Sequence, residues 1–305
     1  MFDLSTCKIE SLSLNEIKDW IQSCEKEQMS QLKTVADEIL SQNHTLVALA
    51  GPSCSGKSTT AYRLTALLSA AGKEVKVIST DDYFHNISDY PKSDNDAPDF
   101  DHFDCVKKSL LSQVLAGICR KETVSLSRFD FVTGRRTDNV ETYTPNDNSI
   151  VILEGIHALN PRLYLSGVRY YKLALNVTRA LSLDGDELLK AREIRLIRRI
   201  IRDEKKRNYR AEQTMNVWGN VSRGEENFIF PFFDDVDALL STGLEYEPCV
   251  WAHDALDSLT AIDKNDAKRP YADELIKKIS KFPQFTTELV PQDSILQEFL
   301  GHNEH

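Results

Sequence analysis

Gly51-Pro-Ser-Cys-Ser-Gly-Lys-Ser58 decides how the rest of the chain is read. It fits the pattern G-x-x-x-x-G-K-[ST], a glycine-rich turn (the P-loop) whose backbone N–H groups cradle phosphates. Its flanks fit as well. Thr45-Leu-Val-Ala-Leu-Ala50 is a short apolar run of the kind that forms a buried strand, and Thr59 to Ala71 carries Ala61, Leu64, Leu67 and Leu68 at helical spacing. A strand, a tight turn and a helix N-terminus bring converging N–H groups and a partial positive charge to one point. Gly51 and Gly56 permit backbone angles closed to other residues. Lys57 is placed to reach the outer phosphates of a nucleotide, and the Ser58 hydroxyl to hold Mg²⁺. The expected site for ATP and Mg²⁺ therefore comprises Gly51, Ser53, Ser55, Gly56, Lys57, Ser58 and Thr59.

The whole chain narrows the class. Its 305 residues are 41% hydrophobic, enough for a sizeable core. The balance of 37 basic and 47 acidic side chains, a net charge of −10, argues against bulk nucleic-acid binding, which favours a basic face. The six cysteines are scattered with no C-x-x-C pair, which excludes a disulfide framework or a zinc site and points to a reducing, cytoplasmic setting. Cys54, inside the glycine-rich turn, reads as a small loop residue rather than a redox sensor. No stretch approaches the roughly 18 apolar residues of a membrane span, and no signal-peptide pattern opens the chain.

Residues 1–44 read as an N-terminal helical extension in two segments. The first follows a Ser13/Glu16 capping box, and the second runs from Met29 to Leu40. A P-loop core is expected over 45–245 and a helical C-terminal segment over 246–305. Within the core, Glu74-Val-Lys-Val-Ile-Ser79 alternates like a strand and is followed by Asp81 and Asp82. A carboxylate just past the C-terminal end of a parallel strand lies on the ligand side of an α/β sheet. There it can take a proton from an attacking hydroxyl or help hold Mg²⁺; a plain turn or cap accounts for it equally well. Residues 86–103 read as a long loop ending in Asp99-Phe-Asp-His-Phe103, with a helix expected from Asp104 to Leu115. Arg128-Phe-Asp-Phe-Val-Thr-Gly-Arg-Arg136 has hairpin chemistry, suited to a pocket wall or to an ordinary half-buried hairpin. Ser149 to Leu153 is a continuous apolar run, as in a central parallel strand, and Glu154 ends it. Asp186 to Lys206 is expected to be a helix with Arg195, Arg199, Arg202 and Lys206 on one stripe. Like charges at i,i+4 destabilise a helix, so an anionic partner is expected there, and 186–232 is read as an arginine-bearing phosphate lid. The tail from Val290, with Ile295, Leu296, Phe299 and Leu300, is expected to dock on the core. The fold class that follows is α/β, a three-layer sandwich of a mostly parallel sheet with helices on both faces.

Gly51–Ser58, Thr80-Asp-Asp-Tyr-Phe84, Phe100-Asp-His102, Phe129-Asp-Phe-Val-Thr133, Leu153-Glu-Gly-Ile156 and Arg199-Ile-Ile-Arg-Asp203 occur in the order and spacing of the uridine kinase family. The chain resembles that family, a branch of the P-loop kinases related to phosphoribulokinases, over about residues 45 to 300. Arg207-Asn-Tyr-Arg-Ala-Glu-Gln-Thr214 and Arg223-Gly-Glu-Glu-Asn-Phe-Ile-Phe-Pro231 look like a branch in which a uridine-kinase-like domain follows a threonyl-tRNA-synthetase-like region. The synthetase-like part is not expected here. The resemblance implies ATP-dependent phosphorylation of a nucleoside 5′-hydroxyl, as in pyrimidine salvage, with a small-molecule acceptor and no nucleic-acid or membrane partner. Related kinases are often oligomeric. Carried over position by position, Lys57 contacts phosphates and Ser58 binds Mg²⁺. Asp81 is the base and approaches the metal, and Glu154 is the second acidic Mg²⁺ contact. Phe84 and Phe100 line the nucleoside pocket, Asp101 holds the ribose hydroxyls, Arg199 faces the substrate, and Arg202 and Arg207 are lid arginines.

Departures concentrate in base recognition. The family's pyrimidine-reading Tyr and His correspond to Phe129 and Gly134, and a downstream Gln falls near Val217. A pocket that loses hydrogen-bonding groups loses discrimination. The expected activity is therefore a small-molecule kinase acting on uridine or cytidine. Kinases of another alcohol (a sugar phosphate or pantothenate-like molecule), an NTP hydrolase and a nucleotide-binding regulator remain as alternatives.

Overall fold

The computed structural model of the chain describes residues 2–92 and 99–301. Residues 93–98, the middle of the long loop expected over 86–103, lie outside that range. The chain opens with β1 (Phe2–Leu4), α1 (Thr6–Glu10) and α2 (Leu14–Ser41). The Ser13/Glu16 capping box is present, with Ser13 N donating to Glu16 Oε2 at 2.8 Å. The two expected segments are one continuous helix of 28 residues. Between the two expected segments Glu25 is buried and pairs with Arg63 of the next helix at 3.1 Å. Paired, that carboxylate can sit on an inward face.

Next come β2 (Leu46–Ala50), α3 (Lys57–Ala70), β3 (Glu74–Ser79), α4 (Lys108–Cys119), β4 (Val124–Asp130), β5 (Arg135–Tyr143), β6 (Ser149–Glu154) and β7 (Tyr171–Asn176). They are followed by β8 (Leu181–Leu183), β9 (Asp186–Leu189), α5 (Ala191–Arg207), α6 (Ala211–Phe228), β10 (Ala238–Ser241), α7 (Glu247–Thr260), α8 (Arg269–Ile279) and α9 (Gln297–Leu300). The central sheet has five strands in the order β10-β7-β2-β6-β3, all paired in parallel. Its alternation sorts the side chains by face. Val47, Leu49, Ile150, Ile152, Leu173 and Leu175 pack with α2 and α3. Leu46, Ala48, Ala50, Val151, Leu153 and Ala174 pack on the other side with α4. Burial on both faces explains why β2 and β6 are apolar throughout. The result is the expected three-layer α/β sandwich.

Two local expectations change. The helix expected from Asp186 begins at Ala191, because Asp186–Leu189 is strand β9, paired antiparallel with β8. Asp184 and Gly185, at φ 52° and 86°, make the hairpin turn between them. Asp-Gly between apolar runs is a hairpin signal, and it outweighs the helical period that follows. Likewise α4 begins at Lys108, after a short 3₁₀ turn over Phe103–Cys105.

The third core holds α5 to α9 together with the small sheet β1-β8-β9. Two buried ion pairs pin α5 in it. Arg195 meets Glu225 of α6, with side-chain exposures of 2% and 0%, and Arg198 meets Glu247 of α7, both 0% exposed. The C-terminal tail docks as expected. Ile295, Leu296, Phe299 and Leu300 are each 2% exposed or less. At roughly 2 kcal/mol per large apolar side chain, lifting all four into water costs about 8 kcal/mol. That makes the tail part of the fold and not a loose end.

Candidate active site

The glycine-rich turn leaves the C-terminal end of β2 and runs into α3. Gly56 caps α3 at φ 80°, the left-handed region that glycine tolerates. Gly51 is held for a different reason: a methyl there would fall 2.5 Å from the Leu175 carbonyl of neighbouring β7. Ser55 Oγ is buried in the turn with no hydrogen-bond partner. Lys57 folds back so that Nζ donates to the Pro52 carbonyl at 3.1 Å. The outer rim of the turn is gripped by α5. Arg195 donates to the Ser53 carbonyl (3.1 Å), Arg198 to the Cys54 carbonyl (3.3 Å) and Arg199 to the Ser53 hydroxyl (2.9 Å).

Beside the turn, β3 and β6 end together. Thr80 N donates to the Glu154 carbonyl at 2.8 Å, which sets Asp81 next to Glu154. Gly155 makes this approach possible. Its φ is 141°, and a methyl on it would fall 1.9 Å from Thr80 Oγ1 and 3.3 Å from Asp81 Oδ1. The carboxyl of Asp81 is surrounded by protein, and that desolvation raises its pKa against the pull of Lys57 and the Thr80 hydrogen bond. Glu154 is pushed up to about 7 by burial and by Asp81, with Lys57 acting in the other direction. Asp82 points elsewhere. Its Oδ1 accepts from Phe129 N at 3.0 Å and ties the hairpin β4–β5 to the end of β3.

That hairpin carries the aromatic wall. Phe84 and Phe129 are buried and meet edge to face at 5.7 Å, with Phe131 5.1 Å from Phe129. Tyr90 closes the group, 6.0 Å from Phe84, 5.4 Å from half-exposed Phe100 and stacked on Phe129 at 6.5 Å. Its hydroxyl is buried and has no hydrogen-bond partner among the described residues. Asp101 lies under α6, where a methyl at Gly224 would fall 2.5 Å from its Cβ. Burial pushes Asp101 up to about 7; Arg199 opposes this, while Glu225, Asp99 and Asp81 add to it. Gly134 sits at φ 66°, and a methyl there would fall 2.7 Å from Ile87 Cγ2, so the turn has no room for a ring. Val217 is largely exposed on α6.

The arginine stripe of α5 finds acidic partners within the chain. Arg195 and Arg198 are structural, paired with Glu225 and Glu247. Burial works to raise Asp203, but Arg202, Arg199 and Arg207 gathered on it hold its carboxyl below its ordinary value. Arg199 therefore bridges Ser53 and Asp203, 3.3 Å from the latter. Arg202 and Arg207 converge on the same carboxylate, at 2.7 and 3.7 Å. The fold thus brings Lys57, Asp81 and Glu154, and through Asp81 also Asp101 and Arg199, within electrostatic reach of one another, while Phe84, Phe100 and Phe129 gather around Tyr90. Tyr90, Gly224 and Glu225 were not foreseen. Of these only Gly224, a helical glycine, carried any signal in the sequence.

Among the described residues no group of three or more His, Cys, Asp and Glu side chains is arranged to hold a metal unaided. The Ser58 hydroxyl and the Asp81 and Glu154 carboxylates are oxygen donors of the kind Mg²⁺ takes together with phosphate and water. Also among the described residues, no helix is long and apolar enough to cross a membrane.

Known proteins show the family of the chain. Residues 46–246 match the phosphoribulokinase/uridine kinase family. A uridine kinase of Staphylococcus haemolyticus is 26% identical over 204 residues, covering 66% of this chain and 89% of that protein. Uridine-cytidine kinase 2-B of Danio rerio is 27% identical over 209 residues, covering 66% of this chain and 74% of that protein. Among solved structures, one described as a possible uridine kinase from Bacillus stearothermophilus is similar at a TM-score of 0.47 and 15% identity, covering 70% of this chain and 99% of that one. With the match spanning more than half its length, the chain belongs to the phosphoribulokinase/uridine kinase family of P-loop small-molecule kinases.

Proposed function

We propose that the protein transfers the γ-phosphoryl group of ATP to the 5′-hydroxyl of a pyrimidine nucleoside, uridine or cytidine. The observation that carries this is the meeting of β2, β3 and β6 at one edge. It sets Lys57, Asp81 and Glu154 within electrostatic reach of one another. Asp81 takes the proton of the attacking hydroxyl; its raised pKa makes it a stronger base than an ordinary carboxylate. Lys57 leaves the Pro52 carbonyl for the outer phosphates, and the Ser55 hydroxyl and the amides of the turn hold the rest. Ser58 with Asp81 or Glu154 would hold Mg²⁺, which would supply neutralisation of phosphate charge. Arg199, Arg202 and Arg207 add positive charge at the transferred group; α5, pinned by its buried ion pairs, is a fixed part of the site and not the closing lid that the stripe suggested. Asp101 accepts from the ribose hydroxyls, and Phe84, Phe100 and Phe129 flank the base. The two relatives named as uridine and uridine-cytidine kinases support the same acceptor class.

A second reading, a kinase of a different small alcohol, is favoured by one observation. The position where the family presents a base-reading His is here a left-handed glycine packed on Ile87. ADP release with Mg²⁺ and ATP, measured across uridine, cytidine, purine nucleosides, pantothenate and simple sugars, separates the two. Dependence on uridine or cytidine supports the first. Dependence only on another alcohol keeps the kinase and replaces the acceptor. Equal release with and without any acceptor contradicts both.

A further inference from the structure

Asp203 stands where the arginines of α5 meet. It is 3% exposed, and its two carboxylate oxygens are shared among four partners. Oδ1 accepts from Arg202 Nε and Nη2, at 3.0 and 2.7 Å, and lies 3.7 Å from Arg207 Nε. Oδ2 lies 3.3 Å from Arg199 Nε and accepts from the Thr214 hydroxyl of α6 at 3.3 Å. With both oxygens engaged on several sides, the carboxylate has little freedom to turn.

The spacing shows what a carboxylate does there. Residues 199, 203 and 207 follow one another at i,i+4 and so share one face of the helix. Without Asp203 that face would carry only like charges, which push apart. With it the arginines are gathered, yet one carboxylate among three guanidinium groups leaves the cluster positive. The cluster is aimed as well as gathered. Arg199 uses Nε on Asp203 and Nη1 on the Ser53 hydroxyl of the glycine-rich turn, at 2.9 Å, so two of its nitrogens fix its plane. Arg199 also opposes the burial-driven rise of Asp101, and Arg207 is among the groups that oppose the burial-driven rise of Asp81. Asp203 thus links three arginines to the turn, to Asp101 and to Asp81. The helix that carries them is held to α6 and α7 by Arg195 and Arg198.

We propose that Asp203 is a positioning residue for phosphoryl transfer, holding Arg199, Arg202 and Arg207 as one preset cluster that meets the γ-phosphate of ATP. Charge already in place stabilises a transferring group more than charge that must first be collected, because its reorganisation is completed in folding. The carboxylate's own charge repels phosphate, so Asp203 acts only through the arginines. This rests on the proposed reading of the glycine-rich turn as an ATP site and holds for any acceptor.

The test is equilibrium binding to the full chain, with Mg²⁺, of ADP and of the non-hydrolysable β,γ-imido analogue of ATP, which differ by the γ-phosphate. Asp203→Asn keeps the shape of the side chain and one oxygen, and removes the charge that gathers the arginines. It should leave ADP within about threefold of the parent and shift the ratio of the two affinities by roughly tenfold against the triphosphate, the scale of one charge-assisted hydrogen bond. Thr214→Val removes only the bond from α6 to Oδ2 and should shift the ratio the same way by about threefold. That variant carries the test alone if Asp203→Asn does not fold. A merely structural role weakens both nucleotides alike and overturns the assignment, as does an unchanged ratio. A ratio shifted toward the triphosphate also overturns it, by showing that Asp203 restrains the arginines. A parent protein that binds neither nucleotide overturns the ATP reading, and the proposal with it.

Discussion

Asp81 and Asp82 are adjacent in sequence and face different surroundings. Asp81 faces Lys57 and Glu154, whereas Asp82 accepts the Phe129 amide at 3.0 Å. Asp81→Asn should retain ATP binding within a few-fold and lower kcat by about 10²–10⁴, the range for removing a general base. Asp82→Asn keeps an oxygen for the Phe129 amide and should stay within about tenfold of the parent. Steady-state kinetics on the two variants checks this, and equal activity of Asp81→Asn and the parent contradicts the assignment. Gly134 makes the converse point. Restoring the family's histidine as Gly134→His puts a side chain at φ 66° against Ile87. It should cost about 1–3 kcal/mol in a denaturant melt and give no gain in pyrimidine turnover. At this scale the sequence was most legible where chemistry is local. Lys57 and Ser58 follow from a contiguous motif, and Asp81 and Glu154 from strand ends. Tyr90 was not legible, because it acquires its place from contacts with Phe84, Phe100 and Phe129 in other parts of the chain.

At the scale of elements, α5 shows how a charge pattern misleads. A stripe of arginines reads as a surface awaiting an anion, yet Glu225, Glu247 and Asp203 meet most of it inside the protein. Those partners lie on α6, on α7 and on α5 itself, and only the last was visible as a neighbour. Glu247→Ala strands the Arg198 guanidinium at 0% exposure and should cost about 3–5 kcal/mol. Glu226→Ala, which opens the exposed pair with Arg192, should cost less than about 1 kcal/mol. Chemical denaturation of the two variants measures the contrast, and similar losses would sink the distinction. The start of α5 was misplaced for a separate reason. Asp184-Gly185 encodes a turn, and the helical period downstream was extended across it.

At the scale of the molecule, the sandwich was legible because β2 and β6 are apolar on both faces and alternate with amphipathic helices. The third core, and the way the two ends of the chain converge on α3, rest on long-range pairs such as Glu25 with Arg63 and Glu298 with Thr59. No periodicity records those. Gathering carboxylates into one cleft also sets how the whole fold responds to pH. Asp101 and Glu154 rise from ordinary values of 3.8 and 4.5 to about 7, chiefly through burial. The folded chain therefore holds these protons more tightly than the unfolded chain. The stability they lend is fully present below about pH 4 and is lost as pH rises through about 7. Melting temperature should fall across that window through these two groups, and Asp101→Asn should reduce the slope. An unchanged slope in Asp101→Asn would show that Asp101 titrates normally. The most direct test of the whole assignment follows the label of γ-³²P-ATP in the presence of Mg²⁺ and uridine. The expected result is label in uridine 5′-monophosphate, formed only when uridine is present and lost in Asp81→Asn. Label found only as inorganic phosphate, released at the same rate with and without uridine, would contradict it.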